Sequence, residues 1–271
     1  MNMDDVARRG LVLLGCGKMG SAMLQGWLKG GLPATSVWVI DPNPSDWVKG
    51  LSGLNLNTDL PGDPAVVLIA VKPQMMGEAL PALKALGGGT SLFISIAAGT
   101  PIRAFEAAFG AETPIVRSMP NTPAAVGRGI TALIGNAKVG EGEMALAEAL
   151  LSAVGQTVRL DSEDQMDAVT AVSGSGPAYV FHLIETLAAA GEAQGLAPEL
   201  AMKLARATVG GAGLLAEDSD ETPAQLRINV TSPKGTTAAA LNVLMDEETG
   251  FPNLLRRAVK AAADRSRELG A

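Results

Sequence analysis

The chain has 271 residues, 47% of them hydrophobic and 18% charged, which is more than one small domain requires and unlike any disordered chain. A net charge of −7 with only 3% aromatic residues offers neither the basic surface nor the stacking rings of a nucleic-acid binder, so no such partner is expected. Cys16 is the single cysteine, which excludes an internal disulfide; no metal-ligand spacing occurs, and no apolar run has membrane-span or secretory length, so a cytoplasmic, metal-free protein is expected.

In chain order, Gly10 to Gly15 (GLVLLG) is a continuous apolar run that passes into a helical pattern ending at Gly30-Gly31, which reads as strand, tight turn and helix. Further buried strands are expected at Ser36 to Ile40, Ala65 to Val71, Ser91 to Ile96, Pro114 to Arg117, Gly129 to Ile134 and Thr157 to Leu160. Helices are expected between them, among others at Gln74 to Leu86 and Glu141 to Val154. Such alternation predicts an α/β, Rossmann-like, mostly parallel and doubly wound sheet over residues 1–162. Beyond it the pattern is all helical: Asp164 to Val172, Pro177 to Gln194, Pro198 to Ala216, Thr222 to Val230, Pro233 to Asp246 and Phe251 to Leu269. Residues 163–271 are therefore expected to form a second, helical domain, whose many Ala and Gly residues favour close helix packing.

Gly15-Cys-Gly-Lys-Met-Gly20 has the G-x-G-x-x-G spacing, follows a strand and opens a helix. Those glycines suit a tight turn, close approach of a pyrophosphate and close helix–strand packing, with free helix N–H groups facing the anion. Asp41, about twenty residues further on at the end of the second strand, can accept hydrogen bonds from an adenosine ribose. Its charge opposes a 2′-phosphate, and Pro42 to Asp46 contain no Lys or Arg to receive one. Use of both NADH and NADPH is expected, with NADH at least as good. A plain turn aspartate is the alternative at this position.

Four more stretches carry the specificity: Ala70-Val-Lys-Pro-Gln74, Ser95-Ile-Ala-Ala-Gly99, Met119-Pro-Asn-Thr-Pro123, and Ser173-Gly-Ser-Gly-Pro-Ala-Tyr179 paired with Thr231-Ser-Pro-Lys-Gly-Thr-Thr237. The first three follow apolar strands, at the sheet edge where ligands collect. In the last, hydroxyls and amides at a helix start make an anion site without arginine. These motifs, in this order from Gly15 to about Leu244, resemble the pyrroline-5-carboxylate reductase family.

The resemblance implies reduction of 1-pyrroline-5-carboxylate to proline, the last step of proline biosynthesis, by hydride transfer from NADP(H) or NAD(H). It implies a helical dimerisation domain forming an interlocked homodimer, with a ring of dimers as a larger form, and active sites built from two chains. It places Leu14, Gly15, Cys16, Gly17, Lys18 and Met19 along the pyrophosphate, and Asp41 and Asn43 at the adenosine ribose. Ala70, Val71, Lys72, Pro73, Ala97 and Ala98 fall to the nicotinamide half, and Asn229 reaches it from the other subunit. Ser232, Gly235 and Thr236 would bind the substrate carboxylate, and Thr237 the ring nitrogen, as the one residue given a catalytic role.

Lys234 departs from the family, which usually has glycine there; its side chain is expected in solvent, and strained if φ is positive. His182, the only histidine, reads as a packed or interface residue, and Cys16 as a small filler. A β-hydroxyacid dehydrogenase is the competing enzyme reading, but the helix after Ser173-Gly-Ser-Gly176 lacks the lysine such an enzyme uses as acid and base. A cofactor-binding protein without turnover is the third.

Overall fold

The computed structural model describes residues 1–270. The apolar runs form strands β1 (Leu11–Leu14), β2 (Val37–Ile40), β3 (Asn55–Leu56), β4 (Val66–Ile69), β5 (Leu92–Ser95), β6 (Ile115–Met119), β7 (Gly129–Gly135) and β8 (Gly155–Arg159). They make one sheet in the order β3-β2-β1-β4-β5-β6-β7-β8. Every pairing is parallel except β6 with β7. The outward progression from β1 in both directions is the Rossmann order, and the point of reversal lies between β1 and β4.

Alternation along the strands explains why these runs are continuously apolar. Leu11, Leu13, Val66 and Leu68 face one core with Met23, Leu24 and Trp27, whereas Val12, Leu14, Val67 and Ile69 face another with Phe93, Phe105 and Phe109. Both sheet faces are covered, so successive residues of β1 and β4 are all buried. Each such side chain contributes about 1.5–3 kcal/mol relative to exposure.

The helices of this part are α1 (Met3–Arg9), α2 (Lys18–Lys29), α3 (Asp46–Lys49), α4 (Met76–Ala79), α5 (Ile102–Phe109), α6 (Glu141–Leu151) and α7 (Met166–Val169). Helix α2 is tied to α6 by Trp27 Nε1, which donates to Leu150 O at 2.8 Å. Helix α1 was not legible as a periodic pattern; it is set by a reciprocal cap in which Asp5 N donates to Asn2 Oδ1 and Asn2 N to Asp5 Oδ2. The single helix expected at Gln74 to Leu86 is instead a 3₁₀ turn at Pro73–Met75, the short α4 and a 3₁₀ stretch at Leu80–Leu86. Pro81 lacks the N–H an α-helix needs there and crowds the preceding turn. At Asp164 to Val172 the expected helix is the 3₁₀ turn Glu163–Gln165, α7 and a π-helical turn over Thr170–Gly174.

The chain forms two compact units, one of residues 1–174 with the chain from Ala263 onward, the other Ser175–Ala262. Into the second unit fall α8 (Gly176–Ala193), α9 (Pro198–Asp218), α10 (Pro223–Asn229), α11 (Thr236–Leu244) and the first part of α12 (Phe251–Gly270). Its buried hydrophobic side chains are three alanines, Ala188, Ala201 and Ala205, where α8 and α9 meet. Phe181, Leu215, Val230, Val243 and Leu254, among others, are exposed. The helix expected from Pro233 starts at Thr236, because Gly235 N turns back to Ser232 O at 3.0 Å.

Candidate functional site

Parallel β1 and β4 end side by side, and the chain leaving each is hydrogen-bonded to its neighbour: Gly15 N donates to Ile40 O at 2.8 Å and Ala70 N to Leu14 O at 2.7 Å. The expected cofactor residues Leu14 to Met19, Asp41, Asn43, Ala70 to Pro73, Ala97 and Ala98 all lie at or just beyond the C-terminal ends of β1, β2, β4 and β5. The sheet thus gathers them along one edge.

The three glycines have distinct geometry. Gly15 has φ +88°, and a Cβ there would stand 3.0 Å from the Ala70 carbonyl, so the turn admits no side chain. At Gly20 a Cβ would meet Gly15 O at 2.6 Å, so close packing of α2 on the turn depends on its absence. Gly17, the N-cap of α2, would project a Cβ into open space, and no side chain caps the helix. The first-turn N–H groups of α2 therefore border open space at Gly17, and the positive helix end suits a pyrophosphate.

Asp41 has a second task that spacing alone did not show. Its Oδ2 accepts from Cys16 N at 2.7 Å and its Oδ1 from Asn43 N at 2.8 Å. Asn57, itself at φ 52°, grips the Asp41 backbone from both sides: Asp41 N donates to Asn57 Oδ1 at 2.9 Å and Asn57 Nδ2 to Asp41 O at 2.8 Å. The carboxylate thus braces the glycine turn. Cys16 is buried, and burial pushes its thiol above the ordinary range, with the nearby Asp41 charge acting the same way against a hydrogen bond from Ser21. That environment suits a filler and disfavours a thiolate nucleophile.

The residues expected at the substrate belong to the second unit. Ser232, Lys234 and Thr236 are exposed, and Gly235 and Thr237 half-buried, on the turn that opens α11. Gly235 is the N-cap and no side chain caps this helix, so its first amides remain available to a carboxylate. Lys234 is exposed with φ 61°. A left-handed residue here accounts for the glycine usual in the family. Asn229, at the end of α10, accepts from Gln225 Nε2 at 2.8 Å and donates to Glu221 Oε2 at 2.9 Å. His182 is not packed within its own chain: it is largely exposed and pairs with Glu185 at 3.2 Å.

Sequence reasoning missed a polar centre beside this edge. Arg117, buried on β6, donates to Glu163 Oε1 at 2.7 Å, and the same oxygen accepts from Ile102 N at 2.8 Å. Arg117 and Glu163, with Gly99, Arg103, Asp167 and Arg267, line a cavity of about 250 Å³. An arginine within the buried strand Ile115–Met119 was the available signal. Ser173 Oγ is buried and has no hydrogen-bond partner among the described residues. No helix among those residues is long and apolar enough to cross a membrane, and no cluster of metal-ligating side chains occurs among them.

A glycine cradle at the switch point of a mostly parallel, doubly wound sheet defines a dinucleotide-binding domain. Residues 10–99 match the family model described as NADP oxidoreductase, coenzyme F420-dependent. Residues 163–269 match pyrroline-5-carboxylate reductase dimerisation. The chain is 40% identical to the pyrroline-5-carboxylate reductase of Pseudomonas aeruginosa over 264 residues, covering 96% of each. A solved pyrroline-5-carboxylate reductase from Coxiella burnetii superposes with a TM-score of 0.90 at 34% identity, covering 97% of this chain and 99% of that one. That of Plasmodium falciparum, solved with NADP bound, gives 0.82 at 32% identity, with 97% and 98% coverage. The chain belongs to the pyrroline-5-carboxylate reductase family.

Proposed function

We propose that this protein reduces 1-pyrroline-5-carboxylate to proline with NAD(P)H in the cytoplasm, as the last step of proline biosynthesis. The open cradle at Gly17 carries the reading, because it leaves room for a pyrophosphate where a Rossmann sheet presents one. Leu14 to Met19 hold that group, Asp41 and Asn43 the ribose, and Ala70, Val71, Lys72, Pro73, Ala97 and Ala98 the nicotinamide half. The bound cofactor supplies the hydride. Ser232, Gly235 and Thr236 hold the substrate carboxylate through hydroxyl and amide groups at the start of α11. Thr237 hydrogen-bonds the ring nitrogen and keeps the C=N bond oriented. A protonated imine is already electrophilic, so the protein's contribution is positioning and exclusion of water rather than strong acid catalysis.

In this reading residues 1–162 bind cofactor, and residues 163–271 dimerise the protein and bind substrate. The dimer is interlocked, Asn229 of one subunit serves the cofactor of the other, and dimers assemble into a ring. NADH serves at least as well as NADPH. Mixing the purified protein with 1-pyrroline-5-carboxylate and each reduced cofactor, and following the near-ultraviolet absorbance of the nicotinamide, tests the reaction. Loss of absorbance with proline formation is expected; a flat trace with both cofactors overturns it.

A further inference from the structure

The segment after β5 carries Ala97 and Ala98, and the next residues are pinned by the end of the chain. Gly99 has φ +71°, and a Cβ there would lie 3.3 Å from Leu269 Cβ; one on Gly270 would lie 3.0 Å from Gly99 O. The last turn of α12 thus rests directly on the Gly99 backbone. Arg103 Nη2 donates to Gly270 O at 3.0 Å. One turn earlier Ser266, only 5% exposed, donates from Oγ to Asp167 Oδ1 at 2.5 Å. From below, Glu163 takes Ile102 N and is itself held by Arg117. The segment from Ala97 to Arg103, the loop after β5 with the first residues of α5, is therefore clamped between Glu163 and the end of α12. Ala97 N has only a local hydrogen bond, to Ser95 Oγ at 3.2 Å.

We propose that residues 263–270 act as a strap that positions the Ala97–Arg103 loop, with Ser266 and Arg103 as positioning residues for the cofactor's nicotinamide end. The proposal rests on the reading that Ala97 and Ala98 line that end. A loop held chiefly by tertiary contacts opens locally when those contacts are lost. Displacement of about 1 Å at a hydride-transfer site lowers the rate far more than it lowers stability. Ser266 fixes the helix turn on Asp167, and Arg103 ties the helix end to the loop, so loss of either frees the same backbone.

The test uses full-length Ser266→Ala, Arg103→Gln and Ser266→Thr, with amide hydrogen exchange over residues 97–103 and NADPH affinity measured by direct fluorescence titration. Ser266→Ala is expected to speed exchange in this loop and weaken NADPH by about tenfold, as one lost hydrogen bond to a carboxylate allows. Ser266→Thr, which keeps the hydroxyl, restores both. Arg103→Gln removes only an exposed contact, so it keeps the proposal testable if Ser266→Ala fails to fold; the same changes at smaller size are expected. Wild-type exchange and wild-type NADPH affinity in both variants overturn the strap. Both readouts work without turnover, so an inactive wild-type protein counts against the proposed reaction and not against the strap.

Discussion

Both units of the chain are rich in large apolar side chains, yet they dispose of them in opposite ways. In the sheet unit Leu, Val, Ile and Phe from β1, β4 and β5 are fully covered by helices on both faces. In the helical unit the buried hydrophobic side chains are alanines, while Phe181, Leu215, Val230, Val243 and Leu254 meet solvent. The first unit closes its own core; the second is left with an apolar surface of the extent that marks an interface. A dimerisation family model over residues 163–269 agrees with that distribution. In the proposed reading, cofactor binding is housed where the chain closes its own core, and substrate binding where a second copy would cover the surface.

The largest effect should come from the exposed face. A Phe181→Asp, Leu215→Asp double variant is expected to sediment as a monomer and to lose activity by more than about a hundredfold, since the proposed site is built from two chains. Normal activity in a demonstrated monomer would break the comparison. Next, Thr237→Ala should reduce kcat/KM about ten- to a hundred-and-fifty-fold, the equivalent of roughly 1.5–3 kcal/mol for a hydrogen bond to a charged group. Its cofactor affinity should stay at the wild-type value.

Asp41→Ser sharpens the account of the first unit. Losing the brace on Cys16 N should raise KM for both cofactors by about tenfold, with the smaller rise for NADPH because a like charge near its 2′-phosphate is removed. Steady-state kinetics with each cofactor decide it; an unchanged NADH KM would show that the turn stands without Asp41. Lys234→Gly should raise the stability of the helical unit by about 0.5–1 kcal/mol, since glycine accepts φ 61° without a Cβ clash. Chemical denaturation of the assembled protein would register it.

The smallest effect concerns pH. Arg159, hydrogen-bonded to Glu148 and Glu141, holds both carboxyls below the ordinary glutamate value of 4.5. Groups with a lowered folded value contribute stability that is fully present above 4.5 and is lost as pH falls below 4.5 and through the lowered folded value. The groups are exposed, so the loss should be slight and salt-sensitive. Arg159→Ala should flatten the acid limb of a denaturation-midpoint profile; an identical limb would remove the cluster from the stability account.

What the sequence disclosed was local. Gly15, Gly17 and Gly20 announce their turn because each requirement is met by neighbours within a few residues, and β1 and β4 are legible because burial on both faces leaves an unbroken apolar run. Helix α1 escaped because its cap, not its periodicity, defines it. The α11 start was misplaced because Pro233 fits a first helical position equally well in a turn. Arg117 with Glu163, and Asp167 with Ser266, are paired across long stretches of chain, and nothing in spacing reports such pairs. Asp41 was assigned to the ribose by its distance from the glycines, but its bond to Cys16 N appears only when β2 lies beside β1.

The two margins of the sheet bear on what kind of assembly this chain permits. At one margin β3 is two residues long; at the other β8 is largely exposed, with Arg159 forked between two glutamates of α6. A very short edge strand and a charged cluster at the end of the other are both devices that discourage addition of a further strand. The exposed apolar side chains of the helical unit, by contrast, favour association. Contacts made there by matching faces close on themselves, so a protein with so much exposed apolar surface is directed toward finite oligomers rather than fibres.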